Sequence, residues 1–448
     1  MNRRLLLVVL AIAATRATCA DAALVILGDG GNLPNAIAAA QHGDTIELRS
    51  NGAFPGNLSW SNKYLTVQAG NGFAPTIQGS VSNVVGNSLT GGTLRGLNFT
   101  GGFGLGGTST TFSKMVLDKS TFQGASNVSG TGSLKITLTV TQSTFLSNFG
   151  IGGTGDLNVG LTASENQFLG GTHFGGTGEM HLAATLTRNI FTGNTSFSPI
   201  GNTVYDLDFA ENEFKTRPVA AGIGNLPDLQ YHFERNRFRE GIEVVVDHYN
   251  KVGLTMTDNL IGGVADVPMT TEPGILLRTF YNTIRFANIN MSLTNNTVAG
   301  FDTGIEVRGF EPDVYPTQTS ITFANMLLSN EDDLVNVKAS DISYSLISDG
   351  TYAGQNSNFV GSPLLGPNGQ LLAGSPGIDR GNNSLASTKD LLGNPRIVDG
   401  NGDGIKVVDV GAYEFAVPEP ASLGLVGLGI IGLLLGRNSR RPHCPAER

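Results

Sequence analysis

Apolar residues return along this chain with a step of 23. Phe99, Phe122, Phe145, Phe168, Phe191 and Phe214 are each 23 residues apart; Phe238 follows after 24 and Ile261 after a further 23. Ahead of each Phe, apolar and polar residues alternate: Ile136, Leu138 and Val140; Val159, Leu161 and Ala163; Leu182, Ala184 and Leu186; Tyr205, Leu207 and Phe209. Alternation at period two belongs to a strand with one buried face. Two residues before the apolar position stands Asn166, Asn189, Asn212, Asn236, Asn259 and later Asn296, with Ser120 and Ser143 holding that place earlier. A fixed repeat of about 20–50 residues marks a stacked architecture. The expected fold is therefore all-β, a right-handed parallel β-helix of about 23 residues per coil. Its strands would stack at about 4.8 Å. The Asn column is expected at a turn, in left-handed backbone, with its amides in a ladder. Gly124, Gly170 and Gly193, just after the Phe, are expected to supply turn freedom. A leucine-rich repeat has a similar period, but coils rich in Thr, Ser, Gly and β-branched residues disfavour its helices.

Both ends of the array read as capped. Leu33–Ala40 makes a short amphipathic helix, and the strand signals Thr45–Leu48, Leu65–Ala69 and Thr76–Gln78 follow it. Beyond Val298 the period loosens into coils at Gly304–Val307 and Ser345–Ile347, with a loop at Glu311–Thr319 between them. After Ser348 the pattern changes to Gly-, Pro- and Asp-rich segments, a loop-rich C-terminal cap. The partition is 1–22, 23–347, 348–415 and 416–441.

The termini add export. Arg3-Arg4, the apolar stretch Leu5–Ala14 and Ala20-Asp21-Ala22 form the n-, h- and c-regions of a signal peptide covering residues 1–22. Cys19 would leave with it, and Cys444 is the only other cysteine, so residues 23–416 hold none and a large core must stabilise them. At the other end Ala421–Gly436 is an uncharged apolar run of 16 residues, followed by Arg437, Arg440 and Arg441. A spanning helix takes about 20 residues, so this run is short but membrane-competent, and the arginines would hold its end in the cytoplasm. Gly is 61 of 448 residues and only 15% are charged, a composition that would suit disorder were it not for 40% apolar content in a regular period. The formal net charge is −9 and the basic residues are scattered, which argues against a nucleic-acid partner.

Three segments resemble known families. Helix Leu33–Ala40 followed by Gly43-Asp44 and a strand resembles the opening of secreted right-handed β-helix proteins of the pectate-lyase-like superfamily. Phe359–Leu365, Gly374–Gly381, Asp390–Arg396 and Asp409–Glu414, in that order, resemble the choice-of-anchor Q domain of bacterial surface proteins. Pro418-Glu419-Pro420, the apolar run and Arg437, Arg440 and Arg441 closely resemble the PEP-CTERM sorting signal. That resemblance implies export by the Sec machinery, processing by an exosortase, and residence in the envelope, surface or matrix of a Gram-negative-type bacterium.

Catalytic signals are sparse. A polysaccharide lyase needs a cation for the uronate carboxylate and a base for the C5 proton, and a glycoside hydrolase needs two facing carboxylates. Val246-Asp247-His248 is weakly similar to the Asp-His dipeptide of pectate lyases, without that family's Arg-x-Pro-x-x-Arg segment. Arg235, Arg237 and Arg239 alternate with Asn236 and Phe238, so their guanidinium groups are expected to share an outer face near Asp247 and His248. Such a face suits an acidic exopolysaccharide or an ordinary solvated patch. Asp206 and Asp208 share the outer face of another strand, and Asp332-Asp333 lacks a histidine beside it. Asp399, Asn401 and Asp403 sit at positions 1, 3 and 5 of a Gly-rich loop, with the Ile405 carbonyl at 7 and Asp409 nearby, a pattern for one Ca²⁺ or for a solvated turn. The favoured reading is a non-catalytic exported rod; the alternative is a polysaccharide lyase or hydrolase on the same scaffold.

Overall fold

The computed structural model describes residues 22–417 except 86–89, 109–110, 223–227, 248–250, 264–270, 280–287 and 311–317. Among the described residues, three parallel sheets of 14, 13 and 11 strands stack along the rod, and each strand inside a sheet pairs with its counterparts in the coils before and after. One full coil is Leu157–Ser164 in the first sheet, Gln167–Phe168 in the second and Thr172–Phe174 in the third. The next coil repeats it 23 residues on, with Leu157 opposite Met180, Phe168 opposite Phe191 and Thr172 opposite Thr195. This is the parallel β-solenoid that the period predicts.

The alternating residues of the long strands point inward as expected: Leu157, Val159, Leu161 and Ala163 are buried and their neighbours are not. The Phe column is a continuous stack. Ring centroids from Phe99 through Phe122, Phe145, Phe168, Phe191, Phe214 and Phe238 lie 4.8–5.3 Å apart, nearly parallel. The strand spacing sets that distance, so each ring is held at stacking range by the backbone ladder. Ile261, Val298, Leu328 and Ile347 continue the same column.

Two expectations about turns need correction. The Asn residues carry no left-handed backbone; the residue before each does: Glu165, Arg188, Glu211, Arg235, Asp258 and Asn295, at φ +55 to +59°. The Asn is fully buried and serves by its amide. Asn189 Oδ1 accepts from the backbone N–H of Asn166 at 3.0 Å and from its Nδ2 at 2.9 Å, while Asn166 Nδ2 also donates to Val140 O. The same pattern runs coil to coil as far as Asn296. Gly124, Gly170 and Gly193 have no positive φ either. A Cβ on Gly170 would lie 2.3 Å from the Ser147 carbonyl carbon, and one on Gly193 2.3 Å from Gly170 O. These glycines permit close stacking of coils, not a turn.

The irregular spacing beyond Ile261 leaves the stack intact. Asn259 bonds to Asn296 across 37 residues with the geometry of a 23-residue step. The strands Leu260–Gly262, Ile275–Thr279 and Asn288–Thr294 keep their places in the three sheets despite the longer spacing. Of the expected loop 311–319, residues 318 and 319 belong to the strand Gln318–Ala324, and 311–317 lie outside the described residues.

The N-terminal helix Leu33–Ala39 forms as read: Asn32 Oδ1 accepts from the Asn35 N–H, Pro34 sits in its first turn, and Leu33 and Ile37 are buried on the first coil. Asn at that position satisfies a helix N–H that has no partner inside the helix.

The C-terminal region after Ser348 has turns, the short 3₁₀ segment Asn383–Leu385 and isolated bridges. It does more than close the last coil. It lies back along the side of the second sheet. Leu371, Ile378 and Val410 pack on Leu327 and Leu346, while Leu391, Ala412 and Tyr413 pack on Leu260.

Candidate functional sites

The outward column of the second sheet shows why the C-terminal region docks where it does. Reading along the rod, the column is Thr121, Thr144, Gln167, Ile190, Glu213, Arg237, Leu260, Thr297, Leu327 and Leu346. Through Arg237 these residues keep some contact with solvent; from Leu260 on, all are at most 1% exposed. Thr297 Oγ1 accepts from the Ala412 N–H at 2.9 Å, and Asn325 O accepts from the Gly411 N–H at 2.8 Å. Burying three leucines gives this contact its apolar drive.

Ionic groups are sealed inside the same contact. Arg396 donates to Asp258 and, at 3.3 Å, to Glu414; all three side chains are at most 1% exposed. Arg396 also donates to the carbonyl of Gly411 at 2.7 Å. Burial pushes the Asp258 carboxyl up to about 6 although Arg396 opposes the rise. Burial, with Glu414 beside it, pushes Asp409 up to about 7, and burial raises Glu414 too. Asp409 is held by the N–H groups of Asp379 and Phe415 at 2.7 and 2.6 Å. Sequence reading did not find this cluster. Its one signal was Asp258 standing in a column filled on earlier coils by exposed Lys119, Gln142, Glu165 and Arg188.

The expected arginine face does not form. Arg235 occupies the left-handed turn, which interrupts the alternation, and its guanidinium pairs with Glu234 and, at 3.0 Å, Glu211. Arg237 is in the second sheet and lies 5.9 Å from the ring centre of Tyr413, at the margin of the docked segment. Arg239 donates to Glu213 at 2.7 Å. The three side chains have separate partners. Asp247 follows the third-sheet strand Ile242–Val246, and His248 lies outside the described residues. Asp333 is buried and accepts from Asn330, Ser348 and Asp349, a structural role.

The loop proposed for calcium is an exposed turn closed by its own side chains. Asp399 accepts from the N–H groups of Gly402 and Gly404 at 2.6 and 2.8 Å, Asn401 Oδ1 from Asp403 N–H, and Asp403 Oδ1 from Ile405 N–H. Backbone donors hold the Asp399 carboxyl below the usual carboxylate range. Asp409 is turned inward and does not converge with Asp399 and Asp403. Four of the five expected ligands therefore stay together and Asp409 leaves the set.

Phe415 closes the docked segment, and the described chain ends two residues later at Val417. Pro418, Glu419, Pro420, the apolar run 421–436, and Arg437, Arg440 and Arg441 lie outside the described residues, as do residues 1–21 of the expected signal peptide. Among the described residues no helix is long and apolar enough to cross a membrane. The family described as the PEP-CTERM protein-sorting motif matches residues 416–441.

The chain carries a PEP-CTERM sorting motif.

The motif begins at once where the docked segment ends, and it indicates an exported bacterial protein processed by an exosortase and sorted to the cell surface. No curated protein and no solved structure matches the chain.

Proposed function

We propose that the protein is a non-catalytic rod displayed on the cell surface or in the extracellular matrix, associated with exopolysaccharide. The observation that carries this reading is the PEP-CTERM motif following a long stacked solenoid and its docked C-terminal region. The engagement of Arg235, Arg237 and Arg239 by separate partners supports a structural use of the basic region. In this reading residues 1–22 direct Sec export from a Gram-negative-type cell, and 348–415 act as a choice-of-anchor Q-like module that fixes the sorting tail to the rod. The turn at Asp399, Asn401, Asp403 and Ile405 holds Ca²⁺ weakly and stiffens that module.

Intact-mass measurement of protein from its native cell tests the reading. It predicts loss of residues 1–22 and cleavage near Pro418-Glu419-Pro420; mature protein that keeps Leu423–Leu435 makes the segment an ordinary anchor. The same material, screened against acidic and neutral polysaccharides, should bind without forming product. Unsaturated product that vanishes in an Arg237→Ala or His248→Ala variant would establish a lyase instead. A thermal midpoint unmoved by Ca²⁺, by chelator or by Asp403→Ala would remove calcium from the account.

A further inference from the structure

Six carboxylates lie within described strands of the first sheet: Glu47, Asp118, Asp206, Asp208, Asp228 and Glu234. Four are each matched to a base, Glu47 to Arg49, Asp118 to Arg95, Asp228 to Lys251 and Glu234 to Arg235. Among the described residues, Asp206 and Asp208 form no ion pair with lysine or arginine. They share an imidazole.

The sheet brings the three groups together. Asp206 and Asp208 are two residues apart on Thr203–Ala210, so both point outward, and His232 on the next coil stands directly opposite Asp208. His232 Nε2 is 4.0 Å from Asp206 Oδ1, and one ligand-competent atom from each of the three lies within 4.8 Å of the others. No other such trio of His, Cys, Asp or Glu occurs among the described residues. From Thr139 to Thr322 the row to which Asp208 and His232 belong is otherwise all hydroxyls: Thr139, Thr162 and Thr185 before them, Thr255, Ser292 and Thr322 after. Two successive coils alone depart from it, and they depart toward metal-ligating groups. Small neighbours leave the cluster open: the Asp206 side chain is 64% exposed and that of His232 45%.

We propose that Asp206, Asp208 and His232 bind one divalent transition-metal ion on the face of the rod, with Zn²⁺ the best-matched common ion. One imidazole nitrogen and two carboxylate oxygens form a borderline donor set suited to zinc. Calcium takes about 6–8 oxygens and magnesium an octahedral oxygen shell, which three side chains including a nitrogen donor do not supply. All three donors approach from the protein side, so the outward coordination position stays open to water or an external anionic group. The strand ladder fixes the three Cα positions, and only exposed side-chain rotations are needed to draw the donors onto the ion.

Isothermal titration of chelator-treated mature protein with ZnCl₂, and separately with CaCl₂, tests the site. One Zn²⁺ per chain is expected, and His232→Ala or Asp208→Asn should weaken it by at least about tenfold, equivalent to about 1.4 kcal/mol. His181→Ala, on the same sheet one coil before the two aspartates and two before His232, should leave the titration unchanged. The variants alter exposed positions, and circular dichroism would verify that they keep the fold. Absence of zinc uptake, uptake unaltered by His232→Ala, or equal binding of Ca²⁺ that both variants abolish would overturn the proposal.

Discussion

The rod has a bare half and a covered half built on one coil plan. Between Asn98 and Phe238 the outward column of the second sheet is Thr, Gln, Ile, Glu and Arg, and the left-handed turn column is Lys, Gln, Glu and Arg, largely in solvent. From Asp258 on, the same two columns become Leu260, Thr297, Leu327 and Leu346, and Asp258, Asn295 and Asn325, all buried beneath residues 371–415, with the half-buried Tyr344 at the last turn. The inward column stays apolar, passing from Phe to Ile261, Val298, Leu328 and Ile347. A solenoid coil thus specifies its core and its outer partners independently, so a surface can acquire a docking site without altering the stack. In the bare half ion pairs are exposed, as with Arg188 and Glu165 at 3.0 Å. In the covered half the pair is sealed, and removing a partner leaves a buried charge.

The largest effects should come from the features each half depends on most. Phe168→Ala opens a hole in the ring stack of the bare half, and equilibrium denaturation should show a loss of about 3–5 kcal/mol. A loss below about 1 kcal/mol would mean that the stack is loosely packed. Arg396→Ala strands Asp258 and Glu414 in the covered half, and should cost the docked segment about 3–5 kcal/mol. Limited proteolysis should then cut within 348–415 while the coils stay resistant; unchanged protection would contradict the sealed ion pair.

Acidity should separate the halves next. The carboxyls of Asp258 and Asp409 are raised to about 6 and about 7, well above the ordinary range of an aspartate. Burial favours their protonated forms, so the stability they contribute is full below about pH 4 and declines as pH rises through 6 and 7. Protease resistance of residues 348–415 should therefore be greater at pH 5 than at pH 8, with Asp409→Asn flattening the difference. The bare coils should show no such trend over that interval. The smallest effect belongs to Arg188→Ala, where an exposed pair is worth less than about 1 kcal/mol; a cost near that of Arg396→Ala would erase the distinction between the halves.

The core was legible because one side chain per coil repeated at a constant step. Phe122 to Phe214 could be placed in a single column from their numbers alone. The lateral docking was not, because insertions break the step exactly where the outward column turns apolar: Leu260, Thr297, Leu327 and Leu346 are 37, 30 and 19 residues apart. Without the register, three outward leucines look like ordinary core residues. The arginine face failed for a local reason. Strand alternation was carried through Arg235, where the left-handed turn redirects the chain from one sheet to another. The sorting tail was legible from the order of its parts, since a linear motif needs no fold to be read.

Lateral docking can be tested by cross-linking, because residues 23–416 contain no cysteine. Thr297→Cys with Ala412→Cys places two thiols where the Ala412 N–H now meets Thr297 Oγ1 at 2.9 Å. Mild oxidation of the mature protein should join them, while Thr144→Cys with Ala412→Cys, on the same column in the bare half, should stay reduced. Equal cross-linking of both pairs, or none at 297 with 412 in a folded protein, would contradict the covered half.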